Sequence, residues 1–247
     1  DNQEKFASYL KAVPGMDTTV SASGDRITVT GTEVTLYFSA ATDYAQVYPT
    51  YRSGETDAAL AARVKKLVDD AAQKGYSSVK ADHLTDYRSL YNRMSLDVGQ
   101  TSTEKPTDEL IVAYKDGSAT AGEKRLLEVM IFQYGRYLTI ASSRENSILP
   151  ANLQGVWNNR NNPPWMSDYH TNVNLQMNYW PTYVTNLAEC GDSLVRFMES
   201  LREPGRVTAK IYAGIESTAA NPENGFMAHT QTTPYGYTTP GWSFDWG

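Results

Sequence analysis

The chain has few of the residues that build several common kinds of functional site. Only one of its 247 residues is a cysteine, so no disulfide can form within the chain. That residue, Cys190, lies among apolar helical residues, which predicts a buried and unreactive thiol. The three histidines show no metal-site spacing, and there is no glycine-rich phosphate loop. The sequence therefore predicts no metal, no nucleotide and no other cofactor.

Clusters of positive charge and long apolar runs are also missing. The formal net charge is −6 and the lysines and arginines form no patch, which argues against a nucleic acid partner. No apolar run reaches the roughly 18 residues of a membrane helix, so no membrane span is expected in this chain. The chain starts at Asp1 without a methionine or a signal-like segment, as expected of a processed or excised start.

Aromatic side chains are more plentiful, with 17 tyrosines and five tryptophans making up most of an 11% aromatic content. Flat rings with a polar edge suit the faces of sugars, but the same rings also build ordinary cores. Composition alone leaves both interpretations open.

The first 50 residues combine one helical pattern with a β pattern. Residues 4–13 are predicted to form a helix that ends at Pro14. Residues 26–30 and 34–38 then alternate with period two around a turn at residues 30–33, which predicts a hairpin. Since a lone hairpin is marginal and no later segment resembles it, its further partners are expected upstream of Asp1.

Helical periodicity dominates the rest of the chain. Thr56 or Asp57 caps a predicted helix that Gly75 closes, a second helix starts near Ser78, and residues 99–107 form a linker. Further helices are predicted over residues 123–142 and from Asn174 or Tyr183 to Leu201. Candidates for burial in the helix over residues 123–142 are Leu126, Leu127, Met130, Ile131, Tyr134 and Leu138.

Between these helices, residues 150–169 form a long irregular segment rich in proline, asparagine and tryptophan, as functional loops are. The asparagines Asn172 and Asn174 follow it. Their spacing would direct both amides to one side of an extended backbone, and Asn178 would share a helical face with Asn174. Such amides can recognise hydroxyl groups or hold a water molecule, but they also cap helices and satisfy loops.

Several long stretches resemble glycoside hydrolase family 95, the 1,2-α-L-fucosidases. The stretches that carry the resemblance are residues 83–91, 135–138, 142–144, 152–157, 164–180, 228–230 and 240–242. The match runs from about His83 to the C-terminus.

The resemblance implies a fold that is mainly α with a small β part. It implies the tail end of an N-terminal β-sandwich over residues 1–50, a helical linker over residues 51–105, and a partial (α/α)6 barrel over residues 106–247. It also implies cleavage of terminal α-1,2-linked L-fucose with inversion. Fucosylated oligosaccharides of the 2′-fucosyllactose and H-antigen types are the expected partners, and the expected location is extracellular, cell-surface or periplasmic in a bacterium.

The same resemblance assigns roles at the site. Asn172 and Asn174 match the paired asparagines that hold the attacking water, and His170 matches a residue that contacts the sugar and favours fucose over L-galactose. Trp157 and Trp165 either wall the sugar site or pack between helices. His229 belongs either to the pocket or to the loop scaffold. Trp180 and His83 are expected to be structural.

The general acid (a glutamate in the family) and the aspartate on the base side are expected beyond Gly247, because a complete barrel needs far more helices than about 140 residues provide. The chain is therefore expected to be an inactive fragment. Four carboxylates present in the chain are not expected to be the acid, because none lies in the matching motif: Asp168, Glu216, Glu223 and Asp245. Two alternatives stay open, a fucose-binding module without turnover and an α-L-galactosidase on the same scaffold.

Overall fold

The computed structural model describes residues 3–216, 218, 220–221, 225–236 and 238–239. The chain divides into two compact units, a first unit of residues Asp1–Asp86 and a second unit of residues Tyr87–Gly247. The described residues are mostly helical, with three small sheets.

Four antiparallel strands open the first unit: β1 (Phe6–Pro14), β2 (Thr19–Ser23), β3 (Arg26–Thr30) and β4 (Val34–Thr42). Strand β1 pairs with β4 along its whole length, from Phe6 opposite Thr42 to Pro14 opposite Val34. Strands β2 and β3 pair with each other in a second sheet, as a hairpin that lies between β1 and β4 along the chain. Helix α1 packs against β1 and β4.

The helix predicted over residues 4–13 is wrong, because that segment is strand β1. Nine residue pairs with β4 provide its backbone hydrogen bonds, and this tertiary pairing overrides the local helical pattern.

The predicted hairpin is also wrong in its pairing, although both of its strands exist. Residues 31–33 form no tight turn between β3 and β4. Instead, Gly15 N donates to Glu33 O (3.0 Å) and Glu33 N donates to Thr18 Oγ1 (3.2 Å). Within this chain β3 pairs with β2 and β4 pairs with β1, whereas further partners upstream of Asp1 stay a prediction.

Helix α1 (Asp57–Lys74) confirms the predicted capping. Thr56 Oγ1 accepts a hydrogen bond from Ala59 N at 3.2 Å, and Gly75 closes the helix at φ 81° with its N–H bonded to Ala71 O. The helix buries Leu60, Val64 and Val68 on one face. A second helix, α2 (Tyr76–Tyr91), follows directly.

The described part of the second unit holds five further helices: α3 (Thr107–Asp116), α4 (Ala121–Ser142), α5 (Asn174–Val184), α6 (Asp192–Ser200) and α7 (Arg202–Ala213). Short 3₁₀ turns cover Pro164–Ser167 and Ala188–Gly191. Three two-residue strands form a small antiparallel sheet in the order given: β5 (Tyr169–His170), β6 (Gln231–Thr232) and β7 (Thr238–Thr239). None of the helices in the described residues is long and apolar enough to cross a membrane.

The helix predicted over residues 123–142 is confirmed as α4, but the one predicted to run to Leu201 is interrupted. Helix α5 ends at Val184, Asn186 turns at φ 58°, and Leu187 N bonds back to Thr182 O at 2.8 Å. The break carries Leu187 into a buried cluster, so burial of this side chain competes with continuation of the helix.

Fewer of the apolar side chains of α4 are buried than the sequence predicts. Leu127 is buried, whereas Ile131 and Tyr134 are 64% and 60% exposed within the described structure. Both line an open groove of about 910 Å³ together with Ile111 and Tyr87.

Cys190 lies in a buried cluster with Leu90, Ile140 and Leu187. Burial raises the pKa of its thiol to about 11, so almost no thiolate exists at neutral pH. The predicted burial of Cys190 is confirmed, and its low reactivity stays a prediction.

The start of α4 is held by a capping box around Glu123. Thr120 Oγ1 accepts from Glu123 N (3.2 Å), and the Glu123 carboxylate accepts from Thr120 N (2.9 Å). The same carboxylate pairs with Lys105 and accepts from the Thr103 hydroxyl at 2.8 Å. The Lys105 contact, followed by the Thr120 N–H and the Thr103 hydroxyl, lowers the pKa of Glu123 from 4.5 to about 2.

Glu123→Gln is expected to lower the urea midpoint of unfolding at pH 7. Because the folded-state pKa lies below the ordinary value, the ionised carboxylate stabilises the fold above about pH 4.5, and this stabilisation is lost as the pH falls towards 2. The difference in urea midpoint between the variant and the wild type should therefore become smaller as the pH falls from about 4.5 towards 2. Glu128→Gln, at an exposed position of the same helix, is the matched control. A gap that stays constant from pH 7 to pH 3 would contradict this role of Glu123.

Candidate active site

The irregular segment over residues 150–169 is anchored to α5 by the Tyr179 hydroxyl, and its two ends are joined by the Tyr169 hydroxyl. Tyr179 of α5 accepts a hydrogen bond from Ala151 N (2.6 Å) and bonds Ser143 Oγ (2.8 Å). Tyr169 Oη donates to Pro150 O at 3.3 Å. Because these contacts lie inside a buried cluster, the segment has a defined position although it lacks long helices or strands.

A strained turn leads from this segment into β5. Trp165, Met166 and Ser167 have φ values of 55°, 56° and 52°, a left-handed conformation that is unfavourable for residues other than glycine. Backbone hydrogen bonds hold the end of the turn, from Asp168 N to Trp165 O (3.1 Å) and from Leu153 N to Asp168 O (3.0 Å). Strain of this kind is typical of functional sites, where the surrounding structure enforces it.

A cleft of about 280 Å³ opens beside this turn. The residues that line this Trp165–His170 cleft are Leu153, Gln154, Trp165, His170 and Asn174. The Trp165 and His170 rings meet edge to face with centroids 5.7 Å apart. The cleft therefore presents an aromatic wall, an imidazole and two carboxamides, groups that can contact the faces and hydroxyls of a sugar.

His170 is buried against Asp168. Its Nδ1 lies 3.2 Å from each oxygen of the Asp168 carboxylate, and the two side chains are 9% and 10% exposed. Burial raises the pKa of Asp168, and the hydrogen bond with His170 opposes that effect. In the part of the chain that the structure describes, the carboxylate's side-chain partner is this imidazole.

The two predicted water-holding asparagines lie at or just before the start of α5, and both are exposed. Asn174 is the first residue of α5 and lines the Trp165–His170 cleft, whereas Asn172 lies in the preceding turn. The backbone between them is not extended, because Val173 has φ 71°, so strand alternation does not align the amides. Asn178 shares the helix with Asn174 as predicted, and its Nδ2 donates to Asn152 O at 3.2 Å.

The remaining predicted site residues lie around the Trp165–His170 cleft and not in its lining. Trp157, 56% exposed, lines a neighbouring cleft of about 250 Å³. His229 is buried with its ring edge against Tyr212 at 4.9 Å, and its carbonyl accepts from Thr171 Oγ1 at 3.1 Å. Among the described residues, no group hydrogen-bonds either His229 ring nitrogen. Trp180, predicted to be packed, is 58% exposed.

Two polar residues of the site, and the apolar Leu153 of its lining, are absent from the predicted set. Gln154 lines both clefts, and its place beside Asn152 in an unusual stretch was the available signal. Asp168 was considered only as an acid, yet it contacts His170 two residues later. Residues two apart share a side of an extended backbone, so the spacing could have indicated this contact.

Of the four carboxylates rejected as general acid, Asp168 contacts His170 at the cleft, and the structure describes one other. Glu216 is exposed and pairs with Lys210 at 2.7 Å, and this contact lowers the pKa of Glu216. Glu223, Asp245 and the stretch at residues 240–242 lie outside the described residues. Within the described residues, no three His, Cys, Asp or Glu side chains come together as a metal site would need.

Comparison with known proteins gives a consistent set of relatives. The family model described as "Glycosyl hydrolase family 95 catalytic domain" matches residues 75–247. A protein named "Probable alpha-fucosidase A" from Aspergillus niger is 33% identical over 94% of this chain and 29% of its own length. "Alpha-L-fucosidase 2" from Arabidopsis thaliana is 36% identical over 70% of this chain and 20% of its own length. A second "Probable alpha-fucosidase A", from Aspergillus oryzae, is 37% identical over 78% of this chain and 25% of its own length.

The chain thus spans less than a third of the length of each of these relatives. The family match covers well over half of the chain and includes the whole segment that builds the Trp165–His170 cleft. The chain belongs to glycosyl hydrolase family 95.

Proposed function

We propose that this chain is part of an inverting α-L-fucosidase that removes terminal α-1,2-linked L-fucose. The substrates would be fucosylated oligosaccharides of the 2′-fucosyllactose and H-antigen types, and the enzyme would act outside the cell, at its surface or in a periplasm. The observation that carries the proposal is the Trp165–His170 cleft, where an aromatic ring, an imidazole and two neutral amides converge. The alpha-fucosidase names of three relatives support the same activity.

The chemistry assigned to this cleft is recognition and water positioning. Neutral amides donate and accept hydrogen bonds without adding charge, so Asn174 in the cleft lining and Asn172 in the preceding turn suit a water molecule that must attack the anomeric carbon in line. In an inverting glycosidase, a carboxylic acid protonates the leaving oxygen while the water attacks from the opposite face. The carboxylate in contact with the cleft, Asp168, is engaged by His170, so we place the general acid in a part of the protein outside these 247 residues.

The test uses the full-length protein and 2′-fucosyllactose. Proton NMR during the first minutes of reaction should show β-L-fucose as the first product, because inversion of an α-linkage gives the β-anomer. The 247-residue chain alone should release no fucose.

Four results would defeat the proposal in different ways. First release of α-L-fucose would refute inversion. Release of fucose by the isolated chain would show that it carries the acid after all. Binding of the sugar without turnover by the full-length protein would indicate a binding module, and faster hydrolysis of the matching L-galactoside would indicate an α-L-galactosidase.

A further inference from the structure

We propose that Asp168 is a positioning residue that holds the His170 imidazole in the tautomer with its proton on Nδ1. His170 then presents Nε2 as a hydrogen-bond acceptor, which selects a substrate hydroxyl as the donor. The assignment of a sugar hydroxyl rests on the proposed function, whereas the tautomer itself does not.

The contact geometry determines which group donates. An ionised carboxylate can only accept hydrogen bonds, and both Asp168 oxygens lie 3.2 Å from His170 Nδ1. The proton between them therefore belongs to Nδ1, and a neutral ring must then carry a lone pair on Nε2. A carboxylate that fixes the tautomer and orientation of a histidine in this way is a common supporting arrangement in active sites.

Both partners are held by their backbones, so the pair does not depend on flexible side chains. Asp168 is bonded through its N–H to Trp165 and through its carbonyl to Leu153. His170 lies in β5 opposite Gln231 of β6, and the next residue, Thr171, donates its N–H to Thr230 O at 2.8 Å. The carboxylate and the imidazole consequently meet with little conformational entropy left to lose on binding.

Burial makes the interaction strong. With the two side chains about nine-tenths buried, a carboxylate without a hydrogen-bond donor would be costly, and the imidazole N–H provides that donor. The raised pKa of Asp168 has the same origin, because burial disfavours the charged form.

The strained turn supports the ring from a second direction. Three successive left-handed residues, Trp165 to Ser167, bring the Trp165 ring edge to face with His170 at 5.7 Å. Asp168 follows this turn immediately, so one local conformation places both the carboxylate and the indole against the same imidazole. A single contact could be incidental, but two contacts enforced by an unfavourable backbone indicate a selected ring orientation.

The direct test is the tautomer, read from two-bond proton–nitrogen NMR correlations of the ¹⁵N-labelled chain above pH 8, where an ordinary histidine is neutral. The chain has only three histidines, so His83 and His229 act as internal references. His170 should show its proton on Nδ1. In Asp168→Ala it should shift towards the Nε2-protonated form, while the other two rings stay unchanged.

A matched control and a second variant protect this test against misfolding. Asn161→Ala, at an exposed position of the same loop, should leave the His170 pattern as in the wild type. Asp168→Asn preserves the side-chain size and should keep the wild-type amide spectrum outside the loop. A proton on Nε2 in the wild-type chain, or an unchanged His170 pattern in a folded Asp168→Ala chain, would overturn the proposal.

Kinetics of the full-length enzyme then separate positioning from stability. Asp168→Asn should raise KM for the fucoside about tenfold, the scale of one weakened hydrogen bond, and leave kcat within about twofold. A tenfold loss in kcat at unchanged KM would contradict a role in presenting His170 to the bound sugar. A full-length protein without fucosidase activity but with the Nδ1 tautomer would refute the proposed function and leave the tautomer assignment standing.

Discussion

Replacing Asn172 or Asn174 with alanine in the full-length protein should lower kcat for 2′-fucosyllactose at least about a hundredfold, the scale of losing a positioned proton-transfer route. Both side chains are exposed at the start of α5, and Asn174 lines the Trp165–His170 cleft, so truncation removes an amide without opening the core. The fold should therefore persist, and the loss should appear in turnover.

The matched control for these variants is Asn161→Ala, which removes an exposed asparagine from the irregular segment before the cleft. Its kcat should equal that of the wild type. Near-normal turnover by the Asn172 and Asn174 variants would remove the water-holding assignment. A loss for Asn174→Ala alone would restrict that assignment to the residue that lines the cleft.

Arg136→Leu should destabilise the chain by about 3 kcal/mol, because it removes the hydrogen bonds that a buried guanidinium donates to three backbone carbonyls. Arg136 is 3% exposed, and its guanidinium donates to Leu90 O (3.2 Å), Tyr91 O (2.8 Å) and Met94 O (3.1 Å). The first two carbonyls belong to the last residues of α2, where few backbone donors remain: Leu90 O also accepts from Arg93 N at 3.2 Å. The guanidinium also lies over the Tyr91 ring at 5.4 Å.

Urea unfolding followed by circular dichroism measures this effect. The free energy of unfolding of Arg136→Lys should lie between those of Arg136→Leu and the wild type, because an ammonium group cannot reach all the acceptors that the planar guanidinium reaches. Arg125→Leu, at an exposed position of the same helix, should change the free energy of unfolding by less than about 0.5 kcal/mol. An Arg136→Leu variant as stable as that control would show that water or other groups replace the lost donor.

Much of the fold could be predicted where the local signal and the final structure agree. Thr56 and Gly75 bound α1 as their chemistry requires, since one side chain caps the first turn and the other residue adopts a positive φ. Cys190 was expected to be buried from its apolar neighbours, and it is completely buried. The long apolar periodicity of α4 was also sufficient to locate that helix.

Strand pairing could not be predicted from short stretches of sequence. A short segment can satisfy either a helical or an extended pattern, and residues 6–14 form a strand because β4 provides partners 20 to 36 residues later in the chain. The pairing of β3 with β2 and of β4 with β1 depends on how residues 31–33 bond back to Gly15 and Thr18. No local pattern encodes that choice.

The candidate site shows the same division. Its residues lie in one continuous stretch, residues 152–174, so the sequence alone identified the segment and, through its resemblance, the family. The resemblance also assigned roles to Asn172, Asn174 and His170, and those roles stay predictions until the variants are measured. The contact between Asp168 and His170 and the separation of Trp157 from the Trp165–His170 cleft were visible only in three dimensions.

The sequence by itself determined the family, the location of most helices, the inert thiol and the segment that holds the site, because each of these depends on residue type and short-range spacing. The tertiary structure decided the strand pairing, the break after α5, and which polar side chains meet at the cleft. These features depend on contacts between residues far apart in the chain and on backbone conformations such as those of Trp165 and Val173, which local preference disfavours and only the surrounding packing stabilises.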